Sequence, residues 1–136
     1  MIVVDASAMA ELLLQTELGT RVQRRLYRDD DDLHAPHLVD VEVLSALRRL
    51  VSAGEASADR AGEAIADLLD LPIERYPHDI LVPRVWQLRE NFSAYDASYI
   101  ALAEAVADEP VPLLTADARL ARAIADLLDL PVLLAA

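Results

Sequence analysis

The chain has 136 residues, a formal net charge of −12 and 54% hydrophobic residues, which together favour one folded domain with a real core over disorder. Cysteine is absent, so disulfides and thiolate metal sites are excluded, and all twelve basic residues are arginine, which excludes chemistry that needs a lysine. So acidic a chain repels nucleic acid at long range, and any nucleic-acid role needs a local device that reverses the field.

In chain order, Ile2–Val4 reads as a short buried strand. Residues 7–14 read as a helix, and 17–28 as a second one with Leu18, Val22 and Leu26 on one face. The run RDDDDLHAP is a loop leading to a short strand at 33–35, and a long helix follows over 38–52. Residues 57–69 form another helix with Ser57 as its N-cap, and LPIERYP gives a strand near Ile73. Residues 79–90 are expected to be helical with Pro83 in the first turn. A strong helix over 95–107 carries Tyr99, Ile100, Ala103 and Val106 on one side. VPLLT is a strand, 116–128 a helix and PVLL a last strand. Strands and helices alternate, which predicts a single α/β domain over 1–136, a three-layer α/β/α sandwich on a mainly parallel sheet. IADLLDLPI and IADLLDLPV, at 65–73 and 124–132, read as one helix-to-strand turn used twice.

Four carboxylates fall at meaningful places in that frame. Ligands of open α/β sheets bind beyond the carboxyl ends of the strands. Asp5 ends the first strand, Asp117 follows VPLLT within TAD, Asp96 begins a helix, and Glu42 lies on the apolar side of another. Each has a plainer reading: the aspartates as helix N-caps, Glu42 as a side chain reaching past its neighbours to water. If they converge, bare carboxylates repel by a few kcal/mol per close pair at an effective dielectric of about 20. A divalent cation relieves that most completely, and an all-oxygen site suits Mg²⁺ or Mn²⁺. Such an ion serves phosphoryl chemistry and also reverses the local potential, so an acidic protein can hold a phosphodiester.

MIVVDASAMAELL, VEVLSALRR, YDASYIALAE and LLTADARLARA, in that order, resemble the four signature stretches of PIN-domain proteins, and more closely those of VapC-type toxins. The resemblance covers nearly the whole chain. It implies a Mg²⁺- or Mn²⁺-dependent endoribonuclease whose acidic set falls on Asp5, Glu42, Asp96 and Asp117. Asp5, Glu42 and Asp96 would form the central trio, supported by Asp117. Ser7 and Thr115 match the hydroxyl residues of the first and last motifs. It further implies an RNA substrate, a homodimer and a small antitoxin that blocks the acidic pocket.

Other features are read beside this one. Arg21, Arg24, Arg25 and Arg28 form a stripe that either contacts RNA or antitoxin or is a solvated face opposite the leucines. The same choice holds for Arg119 and Arg122, and for Arg48 and Arg49 the surface reading is preferred. The four aspartates at 29–32 read as a solvated loop. His34, His37 and His78 have no partner at i+4, so a zinc motif is absent, though His37 could serve proton transfer. Trp86 and the tyrosines are expected in the core or a dimer contact, with Tyr95 left open beside Asp96. A phospho-receiver needs a lysine, a dehalogenase-type phosphatase needs an aspartate where Ser7 stands, and glycine-rich nucleotide loops are missing. The alternative from another class is a non-catalytic RNA- or protein-binding module with a structural divalent ion. No apolar run approaches a membrane span and no signal-like N-terminus is visible, so no membrane role and a cytoplasmic location are expected.

Overall fold

The computed structural model describes residues 1–135. Five strands, β1 (Ile2–Val4), β2 (Leu33–Pro36), β3 (Ile73–Tyr76), β4 (Leu113–Thr115) and β5 (Val132–Leu134), form one sheet in the order β3-β2-β1-β4-β5. Every pairing is parallel, so the sheet is wholly rather than mainly so. Parallel strands need crossovers, and seven helices supply them among the described residues. They are α1 (Ala6–Leu14), α2 (Glu17–Asp29), α3 (Leu38–Ser52), α4 (Ala58–Asp70), α5 (Val82–Gln87), α6 (Ala94–Ala105) and α7 (Ala118–Leu127). α1 packs on α2, α3 and α4, while α6 lies against β1, β2 and β4 and is covered by α5. This is the expected α/β/α sandwich.

The centre of the sheet is largely apolar, with His34 and Thr115 as buried polar side chains on the strands beside β1. Val3 and Val4 are sealed, together with Ala35, Leu113 and Met9. A strand buried on both faces reads as a continuous apolar run, which is why three residues of IVV suffice to mark β1. α6 departs from the one-sided helix expected of it: Ala97 through Ala103 are all buried. The sheet covers one face and α5 another, so no solvent side remains over those two turns. Its small residues, four alanines and a serine within 94–103 besides Tyr99, let the layers approach closely.

Two expected helices are cut shorter. The stretch 79–90 is a 3₁₀ turn, Asp79–Leu81, followed by the six-residue α5 with Pro83 in its first turn. Proline lacks the N–H that a continuing helix would need, so the helix restarts there. It stops at Leu88, because Leu88 and Phe92 turn inward to the core. The helix expected over 116–128 begins only at Ala118, after Asp117 has capped it, and ends at Leu127.

α1 and α2 meet at Gly19. A Cβ built there would lie 1.9 Å from the carbonyl oxygen of Glu11, so only glycine allows this approach. The acidic run after α2 is divided among tasks. Asp29 pairs with Arg25 at 3.0 Å and Arg28 at 3.3 Å, Asp30 takes the left-handed C-cap position, and Asp31 pairs with the N-terminal amine at 3.3 Å.

Candidate active site

The sheet order reverses between β1 and β4: the chain leaves β1 toward β2 and β3, and leaves β4 toward β5. A crevice opens at the carboxyl ends of strands where such a reversal occurs. Asp5 follows β1 and Asp117 follows β4, so both stand at the crevice mouth. The second turn of α3 brings Glu42 and the first turn of α6 brings Asp96. All four line one cavity of about 470 Å³, with Ser7, Tyr95, Tyr99 and Arg49 among its other walls.

Asp5 is 5% exposed and caps α1 by accepting from the Ala8 N–H at 3.0 Å. The Ser7 hydroxyl donates to the same oxygen, Oδ1, at 2.6 Å. Because Ser7 spends its one proton there, its Oγ can only accept from elsewhere. It accepts from the Ala116 N–H at 3.0 Å and faces Thr115 Oγ1 at 3.2 Å. Thr115, wholly buried, in turn accepts from the Asp117 N–H at 3.0 Å. A chain of hydroxyls thus stitches the ends of β1 and β4 together and orients Asp5, whose Oδ2 keeps capacity for a ligand. The cap reading of Asp5 holds, and the capping residue also lines the cavity. Ser7 and Thr115, read from the sequence as supporting residues, are placed as the links of this chain.

Asp117 likewise caps α7, accepting from the Arg119 N–H at 2.9 Å and the Leu120 N–H at 3.3 Å while its carboxylate borders the cavity. Asp96 is not a cap. Ser93 takes that role in α6, accepting from the Asp96 N–H at 3.1 Å, so the Asp96 carboxylate is spared for the cavity. Glu42 is half-buried on α3.

The electrostatics are those of acids crowded without a counter-ion. The Asp5 carboxyl is pushed above its ordinary range, chiefly by burial, against the pull of its Ser7, Thr115 and Ala8 donors and with a further push from Asp117. Glu42 is pushed up by burial, against the pull of the neighbouring Tyr99 hydroxyl, with further pushes from Asp96 and Asp5 and a small pull from Arg49. Asp96 is raised by burial and by Asp5 and Asp117. Asp5, Glu42 and Asp96 therefore each feel at least one other acid of the set. Among the described residues, however, no three His, Asp or Glu side chains close into a ready-made metal cage. The convergence expected from the sequence is that of one shared cavity rather than of one tight cluster. The donors present, carboxylates and hydroxyls with no sulfur or imidazole, still fit a hard divalent cation.

Two residues of the cavity were not singled out in the sequence. Tyr99, expected as core, is 1% exposed, yet it borders the cavity beside Glu42, and its buried hydroxyl makes no hydrogen bond of good geometry. Burial and the neighbouring carboxylates push that phenol far above its usual range, so it stays protonated. Arg49, read as a surface residue, also lines the cavity. A seven-residue step from Glu42 returns to nearly the same helix face, a signal that was available.

Other candidates fall elsewhere. Arg21, Arg24, Arg25 and Arg28 do not line the cavity; Arg21 pairs with Glu17 and both Arg25 and Arg28 pair with Asp29. Arg119 and Arg122 border a separate hollow on α7 with Asp126 and Leu127. His37 stands exposed at the start of α3 edge-on to His78, whose Nε2 accepts from the Leu38 N–H at 2.9 Å, and it does not line the acidic cavity. Trp86 is not core but exposed, with Arg89 stacked 4.4 Å above it. No helix among the described residues is long and apolar enough to cross a membrane.

With this geometry in view, comparison with known proteins is decisive about kinship. The model of the PIN domain matches residues 2–125. A VapC ribonuclease of Mycobacterium bovis is 45% identical over 120 residues, 88% of each chain. Ribonuclease VapC12 of Mycobacterium tuberculosis is 41% identical over 122 residues, 90% of this chain and 91% of that one. Two crystal structures share the fold at lower identity. One is PAE2754 from Pyrobaculum aerophilum, with a TM-score of 0.69 and 21% identity over 96% of this chain and 81% of that one. The other is VapC20 of Mycobacterium tuberculosis, described as a sarcin–ricin loop cleaving toxin, with a TM-score of 0.63 and 17% identity over 90% and 95% of the two chains. The motifs, the parallel sheet with its acid-lined crevice and these relatives converge: the chain belongs to the PIN-domain family, among its VapC-type ribonucleases.

Proposed function

We propose that the chain is a Mg²⁺- or Mn²⁺-dependent endoribonuclease and the toxin of a VapBC-type pair, held in check by a small antitoxin and working as a homodimer. The observation that carries the catalytic reading is the shared cavity of Asp5, Glu42, Asp96 and Asp117, drawn from four elements at the switch point of the sheet. Helix capping alone explains two of these carboxylates, Asp5 and Asp117, and leaves Glu42 and Asp96 without a structural task.

Asp5 offers a rigid, nearly dehydrated carboxylate whose orientation is set by Ser7 and Ala8. Glu42 and Asp96 face it from opposite helices and would complete the hold on a cation, with Asp117 at the mouth. When bound, such an ion polarises the phosphodiester, lowers the pKa of the attacking water and steadies the leaving oxygen. From the chain's side, Asp96 or Asp117 would orient that water. Carboxyl pKa values pushed upward mean that protons compete with a cation for these groups, so loading should weaken as pH falls.

Cleavage of single-stranded RNA in Mg²⁺ or Mn²⁺ by the parent and by Asp96→Asn tests the reading. The parent should cut and leave 5′-phosphate and 3′-hydroxyl ends, and the variant should lose at least about a hundredfold in rate, in line with losing a group that positions charge in the transition state. Equal rates or no cleavage by either protein would favour a binding module instead, and 2′,3′-cyclic phosphate ends would contradict attack by a metal-activated water.

A further inference from the structure

One charged wall of the cavity has no task in that scheme. Arg49 is exposed, lines the cavity, and makes no salt bridge among the described residues, whereas Arg75 and Arg84 are each committed to a carboxylate at 2.8 Å and 2.9 Å. We propose that Arg49 is a substrate-binding residue that holds a backbone phosphate of the RNA in the groove along α3, next to the acid-lined crevice. The proposal rests on the ribonuclease reading and deepens it.

Placement comes first. Leu38, Val41, Glu42, Ser45, Ala46 and Arg49 all border the cavity, so it runs as a groove down one side of α3. Seven residues separate Glu42 from Arg49, about 10 Å along the axis and nearly the same face. Helical side chains lean toward the N-terminus, so the guanidinium reaches back toward the carboxylates.

Necessity comes second. A cation held by the acids neutralises one end of the groove. A phosphate neighbouring the scissile one meets no such ion, and among the described residues Arg49 is the one cation lining the cavity. Between Glu42 and Arg49 the wall is Ser45 and Ala46, which carry no positive charge. A planar guanidinium grips phosphate through two parallel N–H donors, and an unpaired one loses no existing ion pair when it does so. The arginines at 21–28, 119 and 122 lie outside the cavity and cannot serve there.

The test uses the full chain carrying Asp96→Asn, so that RNA is bound and not cut, with a fluorescent single-stranded RNA of mixed sequence in Mn²⁺. Arg49→Gln is compared with Arg48→Gln, which removes the same charge from an exposed neighbour outside the cavity. Arg49→Gln should weaken binding roughly tenfold and reduce the salt slope of log K by about 0.7, the loss of one phosphate contact to a single strand. Arg49→Lys should keep the slope and recover part of the affinity. In the otherwise unmodified chain, Arg49→Gln should raise KM and leave kcat within about twofold, as loss of uniform binding requires. Mn²⁺ binding without RNA, read by EPR, should not weaken. The proposal is overturned if Arg49→Gln and Arg48→Gln behave alike, or if kcat falls while KM holds. An Asp96→Asn parent that binds no RNA, with an unmodified parent that cuts none, would overturn the ribonuclease reading itself.

Discussion

Asp5 shows how one side chain can be structural and chemical at once. Its Oδ1 takes two donors within the fold, and the carboxylate is held at a strand end with little freedom to turn. That rigidity has an electrostatic cost in the cation-free protein. A group whose folded pKa lies above its unfolded value adds stability below the unfolded pKa and loses it as pH rises through the folded one. Asp5, Glu42 and Asp96 are all of this kind, with ordinary values of 3.8, 4.5 and 3.8. In chelator, therefore, these three make the melting temperature fall as pH rises above that range. Asp5→Asn should keep the cap and the Ser7 bond, flatten that slope and raise the melting temperature near neutral pH. Each pKa unit removed from the linkage corresponds to about 1.4 kcal/mol. Thermal melts of parent and variant across pH in chelator decide it, and a variant that melts lower at neutral pH would contradict it. Tyr99 is the complementary case, a buried hydroxyl without a closed partner. Tyr99→Phe should leave cation-free stability unchanged or raise it by about 1 kcal/mol, since an unsatisfied polar atom is removed. A loss of stability on that scale in a denaturant titration would show that the hydroxyl is satisfied in solution.

At the level of elements, the site depends on how helices begin. Asp5, Ser93 and Asp117 cap α1, α6 and α7 with their side chains, and the first turns of those helices carry or adjoin the cavity acids. Capping chemistry is local, and these starts are legible: an aspartate or serine ahead of a helical run. What a local reading misjudged was which residue caps α6. Asp96 looked like the cap, but Ser93 stands three residues earlier and frees it. The packing of α2 on α1 was not legible, because nothing in ELGTRV announces that another helix backbone will sit 1.9 Å from a Gly19 Cβ. Gly19→Ala must push the helices apart and should destabilise the protein by roughly 1–3 kcal/mol, as overpacking does, although alanine is the better helix former. A chemical denaturation curve measures this; a gain in stability would mean that the contact relaxes freely. The repeated IADLLDLP makes the same point about stops. Its first copy stays helical to Asp70, and its second leaves the helix after Leu127, which is two residues before the matching aspartate, Asp129. Leu68 of the first copy is buried, while its counterpart Leu127 is exposed. Packing, and not the local sequence, ended each helix.

For the molecule as a whole, a charge of −12 opposes both compaction and RNA binding. Bidentate pairs relieve some of it between layers, Arg75 of β3 with Asp40 of α3 and Arg84 of α5 with Glu104 of α6. The acidic crevice remains unrelieved. Added NaCl should raise the melting temperature gradually in chelator by screening. Mg²⁺ or Mn²⁺ should add a saturable increase on top, of about 2.7 kcal/mol at a hundredfold excess over Kd, and Asp5→Asn should remove that part alone. A calorimetric titration in which the two salts act identically at equal ionic strength would leave the crevice without a specific ion.

The sequence alone determined the alternation of strands and helices, the parallel sheet and the identity of the acidic set. Each of these is written in short-range terms: apolar runs, helix starts, and acids just beyond strand ends or near helix starts. Tertiary structure alone decided that three carboxylates 37 to 112 residues beyond Asp5 share one cavity with it, that Asp5 and Asp117 both cap helices and line it, and that Tyr99 and Arg49 join it while the arginines of α2 and α7 do not. The physical reason is that a helical face is assigned by what packs against it, and neighbours distant along the chain leave no periodic trace in the sequence that they will cover.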